Sequence, residues 1–113
     1  MPEKNVDVVQ GTLDMLILNA LKPGPMHGWD VLCWLRDISD GALSLEEGAI
    51  YPALYRMERR GFVESAWGVT GNNRHAKYYQ LTRRGRKELR ARRETWSRYV
   101  LLVDHIMETA SGD

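Results

Sequence analysis

Two clusters of cationic and amide side chains stand out in this chain: Arg56, Arg59 and Arg60 in one, and Asn72, Asn73, Arg74, His75 and Lys77 in the other. Arginine and asparagine carry forked donors and acceptors that match base edges, while arginine and lysine neutralise phosphates. The chemistry on offer is recognition of a polyanion. The formal net charge is only +1, but it is unevenly spread. Residues 1–55 carry −5, residues 56–98 carry +9, and the stretch from Tyr99 onward carries −3. Such asymmetry points to an anionic partner, with a solvated arginine-rich helix face as the plain alternative.

Other chemistries find no support. A nucleophile with its base, a metal cluster or a phosphate cradle is not visible, so no enzyme, cofactor or metal is expected. The single Cys33 cannot form an internal disulfide, and no CxxC pair is present for zinc. Beside Trp34 in an apolar run, it reads as a small buried hydrophobe. His27, just before Gly28, reads as a capping residue at a helix entry. The longest apolar runs, Val31 to Leu35 and Tyr99 to Val103, are five residues each. A bilayer span needs about 20. With no apolar leader in the first ten residues, a cytoplasmic location without membrane contact is expected.

The elements that must position the two clusters follow from periodicity. Thr12 is placed to cap a first helix through Leu13, Leu16, Ile17, Ala20 and Leu21, ended by Pro23-Gly24-Pro25. A second helix runs from His27-Gly28 through Trp29, Leu32, Leu35 and Ile38 to the stop Ser39-Asp40-Gly41. Ser44 and Glu47 form a capping-box pair ahead of a third, whose stripe is Ile50, Leu54 and Met57 and whose stop is Arg60-Gly61. Pro52 argues that this helix becomes regular only near Ala49. Opposite the stripe lie Tyr51, Tyr55, Arg56, Arg59 and Arg60.

From Phe62 the composition turns aromatic and β-branched. Residues 62–67 and 77–81 read as a hairpin joined by GVTGNNRHA, an exposed and mobile tip. Thr82 then caps a last helix reaching about Thr109, about 40 Å at 1.5 Å per residue. Its second half carries one stripe at Trp96, Tyr99 or Val100, Val103 and Met107 and another at Leu102 and Ile106, more apolar surface than one side of a monomer covers. The expected fold is mainly α with a small β component, a winged helix-turn-helix. Residues 1–81 form its DNA-binding domain and residues 82–113 a C-terminal dimerisation helix, in one compact unit. In such a module the third helix enters the major groove and the hairpin reaches along the backbone or into the minor groove.

Four segments carry a family resemblance: GTLDMLILNAL at 11–21, HGWDV at 27–31, LSLEEGAIYPALYRMERRGFVES at 43–65 and NNRHAKYYQLTRRGR at 72–86. Together they resemble the PadR family of bacterial transcriptional regulators, in its short-tailed subgroup with a single C-terminal helix. Trp29 stands where a tyrosine is common, and His75 where a second arginine or lysine is common. The resemblance implies a cytoplasmic homodimer that represses transcription from a pseudo-palindromic operator and is released by a small-molecule effector or another stress signal. The DNA contacts expected on it are Tyr51, Tyr55, Arg56, Arg59, Arg60, Asn73, Arg74, His75 and Lys77.

Some similar proteins stack a planar aromatic compound between tryptophans at the dimer interface, and Trp96 in ETWSRYV matches that position. By the same matching Met15, Asn19 and Val100 would face the ligand. The other reading of Trp96 is ordinary packing between helices. A second functional class also stays open, a winged-helix module that binds another protein and not DNA.

Overall fold

A computed structural model describes residues 5–110; residues 1–4 and 111–113, the outer ends of the two expected regions, lie outside it. Among the described residues, four helices and five strands follow one another as β1 (Val6–Asp7), α1 (Leu13–Ala20), β2 (Met26–His27), α2 (Gly28–Ile38), β3 (Leu43–Ser44), α3 (Glu47–Arg59), β4 (Val63–Val69), β5 (His75–Leu81) and α4 (Arg83–Thr109). This is the expected mixed fold with a long final helix.

The core sits where α1, α2 and α3 meet the base of the hairpin. Ile17, Leu18, Leu21, Leu32, Leu54 and Met57 are almost wholly removed from solvent. Ile17, Leu32, Leu54 and Met57 come from the apolar stripes of their helices and Leu21 from the C-cap of α1, so the 3.6-residue period and the packing agree there, while Leu18 adds a second buried position beside the α1 stripe. Trimming one such side chain to alanine costs about 2–5 kcal/mol, because the neighbours only partly close the hole.

Glycine stops set the lengths of α2 and α3. Gly61 adopts φ +81° after Arg60, and the amides of Gly61 and Phe62 donate back to the carbonyls of Glu58 and Met57 at 3.0 and 2.9 Å. That doubled closure satisfies the last carbonyls and aims the chain into β4. At the end of α2 the same pattern puts Asp40 at φ +55° and Gly41 at +73°.

The wing is wider than the hairpin read from the sequence. β4 and β5 pair antiparallel from Val63↔Leu81 to Val69↔His75, leaving Thr70 to Arg74 as the connection. His75, expected in the connecting tip, therefore lies on β5 beside Lys77. β2 adds a third strand by pairing Met26 with Tyr79 and His27 with Tyr78. β1 and β3 form a separate two-residue parallel pair.

Three local expectations are corrected. Thr12 occupies the N-cap position of α1 but makes no cap; its hydroxyl donates to the Val9 carbonyl at 2.6 Å. Ser44 is in β3 opposite Asp7, so no capping box forms and Glu46 stands at the N-cap of α3. α3 starts at Glu47, with Pro52 inside it on the exposed side. The lost bond falls to the carbonyl of Gly48, four residues back, which is exposed.

Two expected caps are present. His27 Nδ1 accepts from the Asp30 amide at 3.2 Å. Thr82 Oγ1 accepts from the Gly85 amide at 2.9 Å and donates to the Gly61 carbonyl at 2.6 Å, so one hydroxyl starts α4 and ties it to the end of α3. α4 packs on α1 and β5, and its buried residues, Gly85 and Leu89, both lie near its start. Cys33 is half-buried. Among the described residues, no helix is long and apolar enough to cross a membrane.

Candidate nucleic-acid interface

The outward face of α3 is made by what its stripe leaves over. With Ile50, Ala53, Leu54 and Met57 buried, the helical period turns Tyr51, Tyr55 and Arg59 to solvent, the two tyrosines at 50% and 58% exposure. The guanidinium of Arg59 lies 5.8 Å from the centre of the Tyr55 ring. Arg60, at the C-cap, sits 5.0 Å from the Phe62 ring, and Arg84 of α4 sits 5.5 Å from the same ring. Arg60 thus belongs to the junction of α3, β4 and α4.

Tyr51 is held by its neighbour. A methyl group built on Gly28 would collide with its ring at Cε1, so glycine at the start of α2 is what lets the ring lie there. Beside it runs a groove of about 890 Å³ between the N-terminus of α2 and the wing. Its lining brings Tyr51 together with Arg74, His75 and Lys77, and adds Trp29, Trp67, Thr70 and Asn72. Asn73 adopts φ +60° at the wing tip, in the left-handed region that asparagine tolerates, and its amide donates to the Thr70 carbonyl at 2.9 Å.

Trp67 and Trp29 carried no functional reading in the sequence. Trp67 is 71% exposed, opposite Lys77 on β5. The alternation that buries Val63 puts Trp67 on the same side of β4, but there the strand has run past the core. An aromatic side chain near the far end of a hairpin that has outrun its core was the available signal.

Two expected DNA contacts are engaged within the chain. Arg56 Nη2 donates to Asp14 Oδ1 at 3.0 Å. Lys77 Nζ lies 3.8 Å from Glu58 Oε1, and Ser65 Oγ donates to the other oxygen of Glu58 at 2.5 Å. Glu58 therefore fastens α3 to both long strands of the wing. Burial, followed by the Glu58 carboxylate and Tyr51, pushes the Tyr79 phenol above its ordinary value of 10.0.

Of the residues matched to an aromatic-ligand site, Met15 and Trp96 line one groove of about 530 Å³ between the start of α1 and α4, with Arg92 and Glu88 on its polar side. Asn19 and Val100 are half-buried and lie outside that lining. The Trp96 ring stands 6.2 Å from that of Tyr99 at a tilt of 40°. Among the described residues, no cluster of side chains suited to a metal ion occurs.

Comparison with known proteins agrees with this architecture. The chain matches the family described as Transcriptional regulator PadR-like over residues 17–91. It is 29% identical to the Negative transcriptional regulator PadR of Bacillus subtilis (strain 168) over 77 residues, which cover 68% of this chain and 42% of that longer protein. Among solved structures, a transcriptional regulator from Clostridium thermocellum superposes with a TM-score of 0.78 at 25% identity, over 85% of this chain and 93% of that one. A PadR family regulator from Clostridium difficile R20291 gives 0.75 at 26% identity, over 86% and 99%. The four segments that resembled PadR proteins thus lie in a fold those proteins share, and the chain belongs to the PadR-like family of transcriptional regulators.

Proposed function

We propose that the protein is a homodimeric repressor that binds a pseudo-palindromic operator, with α3 in the major groove and the wing on the adjoining backbone. The observation that carries this reading is the groove in which Tyr51 of α3 meets Arg74, His75 and Lys77 of the wing. One continuous surface then offers a helix for base edges and cations for phosphates. Residues 1–81 would read DNA and residues 82–113 would pair the subunits. Supporting the pairing, α4 exposes Tyr99, Leu101, Leu102, Ile106 and Met107. Such a run on a helix that leaves its own domain asks for an apolar partner. A planar aromatic effector would enter the groove beside Trp96 and Met15, where an indole face and apolar walls suit a flat ring.

The test is fluorescence anisotropy against DNA from upstream of the protein's own gene, at two salt concentrations and beside a scrambled duplex. Preference for its own DNA by about 10³ or more, weakening steeply with salt, is the expected result. No binding even at low salt overturns the reading in favour of a protein-interaction module. Trp96→Ala should abolish binding of planar dyes while leaving folding intact, and unchanged dye affinity would remove the effector part alone.

A further inference from the structure

Asp14 stands in the first turn of α1 with its side chain only 17% exposed, facing cations from two other helices. Its Oδ1 accepts from Nη2 of Arg56 on α3 at 3.0 Å, and its Oδ2 lies 3.8 Å from Nη1 of Arg92 on α4. Arg92 is held more closely by Glu88, at 2.7 Å from its Nε. The carboxylate is therefore chiefly Arg56's partner, with Arg92 as its link to α4. The Arg56 side chain is 57% exposed despite the bond.

We infer that Asp14 is a positioning residue for DNA binding: it fixes the guanidinium of Arg56 so that the remaining N–H groups face a phosphate or base, and it ties that placement to α4 through Arg92. This rests on the DNA-binding reading above. A guanidinium has five donors in one plane, so a bond at Nη2 anchors one end of the fork, narrows its orientations and leaves four N–H groups for DNA. A long side chain already held loses less rotamer freedom when DNA arrives. Arg92 and Glu88 line the groove that also holds Trp96 and Met15. Anything that fills that groove thus touches Arg92, which Asp14 joins to Arg56.

The sign of one substitution separates this role from simple charge. Asp14→Asn removes a negative charge near the DNA-facing surface, which alone strengthens DNA binding. A positioning role predicts weaker binding instead. The experiment measures anisotropy on a duplex that the wild-type protein selects from a random pool, with thermal melting to verify folding. Asp14→Asn should raise Kd about tenfold, near the worth of one charge-assisted contact. Asp14→Asn with Arg56→Ala should bind no more weakly than Arg56→Ala alone. Arg92→Gln should weaken binding by a smaller factor, and not at all in the Asp14→Asn background.

Tighter binding by Asp14→Asn, or effects of Asp14 and Arg56 that simply multiply, overturns the proposal and leaves the DNA-binding reading standing. Should Asp14→Asn fail to fold, Arg56→Lys decides. Lysine keeps the charge but lacks the planar fork, so binding as weak as Arg56→Ala supports the proposal and wild-type affinity overturns it. A wild-type protein that selects no duplex removes the DNA-binding reading, and this inference with it.

Discussion

The ring of Tyr51, on the exposed face of α3, lies so close to Gly28 at the start of α2 that an added methyl group would collide with its Cε1. The tyrosine that stands at the wing groove is thus seated on a backbone with no side chain. Gly28→Ala must push the ring aside. A glycine-to-alanine change in a helix otherwise gains up to about 1 kcal/mol, so the two effects oppose each other. We expect Gly28→Ala to change the melting temperature by only a few degrees while weakening operator binding. In a Tyr51→Ala background the clash is gone, and the same change should become stabilising. A double-mutant cycle in urea, read beside DNA anisotropy, checks both signs.

Gly85 near the start of α4 obeys the same geometry with an unyielding neighbour. Its added methyl would collide with the Phe62 carbonyl oxygen, and that carbonyl also accepts from the Thr82 amide at 3.1 Å. Backbone cannot rotate away as a tyrosine ring can. Gly85→Ala should therefore destabilise by about 3 kcal/mol or more, against the gain expected at an open helix site. The urea midpoint gives the answer, and a stabilised variant would mean that α4 does not approach Phe62 this closely.

Tyr79 links the wing to alkaline stability. Its phenol ionises above 10.0 in the folded protein, whereas in the unfolded chain it ionises at the ordinary value. The native state thus keeps a proton that the unfolded state releases. The associated stability is whole below the ordinary value and is lost as pH rises through the folded one. Tyr79→Phe keeps the buried ring and the Lys77 ammonium 6.0 Å from it. The two proteins should match at neutral pH, and above about pH 10 the wild type should lose stability more steeply. Urea midpoints across pH 7 to 11 measure the difference, and parallel curves would place the phenol in contact with water.

What the sequence revealed and what it hid divide by the range of the interaction. α1 to α4 and the hairpin were legible because Ile17, Leu54 and Val63 belong to periodic patterns that local segments carry by themselves. β1, β2 and β3 are two residues each, too short for an alternation, and exist through partners such as Tyr79 for Met26. Ser44 illustrates the conflict: its spacing from Glu47 fits a cap, but pairing of Asp7 with Ser44 claims that backbone first. At the candidate site the residue types were readable, and their engagements were not. Asp14 and Arg56 are 42 positions apart, and nothing local to either indicates that they touch. Pro52 shows the reverse error, since tertiary packing of Ile50 and Ala53 sustains a helix that local propensity would shorten.

The exposed apolar face of α4 gives a prediction in which the isolated fold and the assembly respond differently. Leu102 and Ile106 are 60% and 62% exposed in the single chain, and neither belongs to its core. Ile106→Glu therefore removes little packing from a lone subunit. In a two-fold dimer the same change occurs on both sides of the interface. Burying an isoleucine side chain contributes about 1.5–3 kcal/mol, so with both copies lost the dimer dissociation constant should rise about 10²- to 10⁴-fold. Sedimentation equilibrium of the wild type should give twice the 13.0 kDa of one chain, and Ile106→Glu should give a mass falling toward a single chain on dilution. Operator affinity should fall with it, because two half-sites held by one dimer are bound together. A variant that remains dimeric would move the interface off this face, and the exposed stripe would then need another occupant.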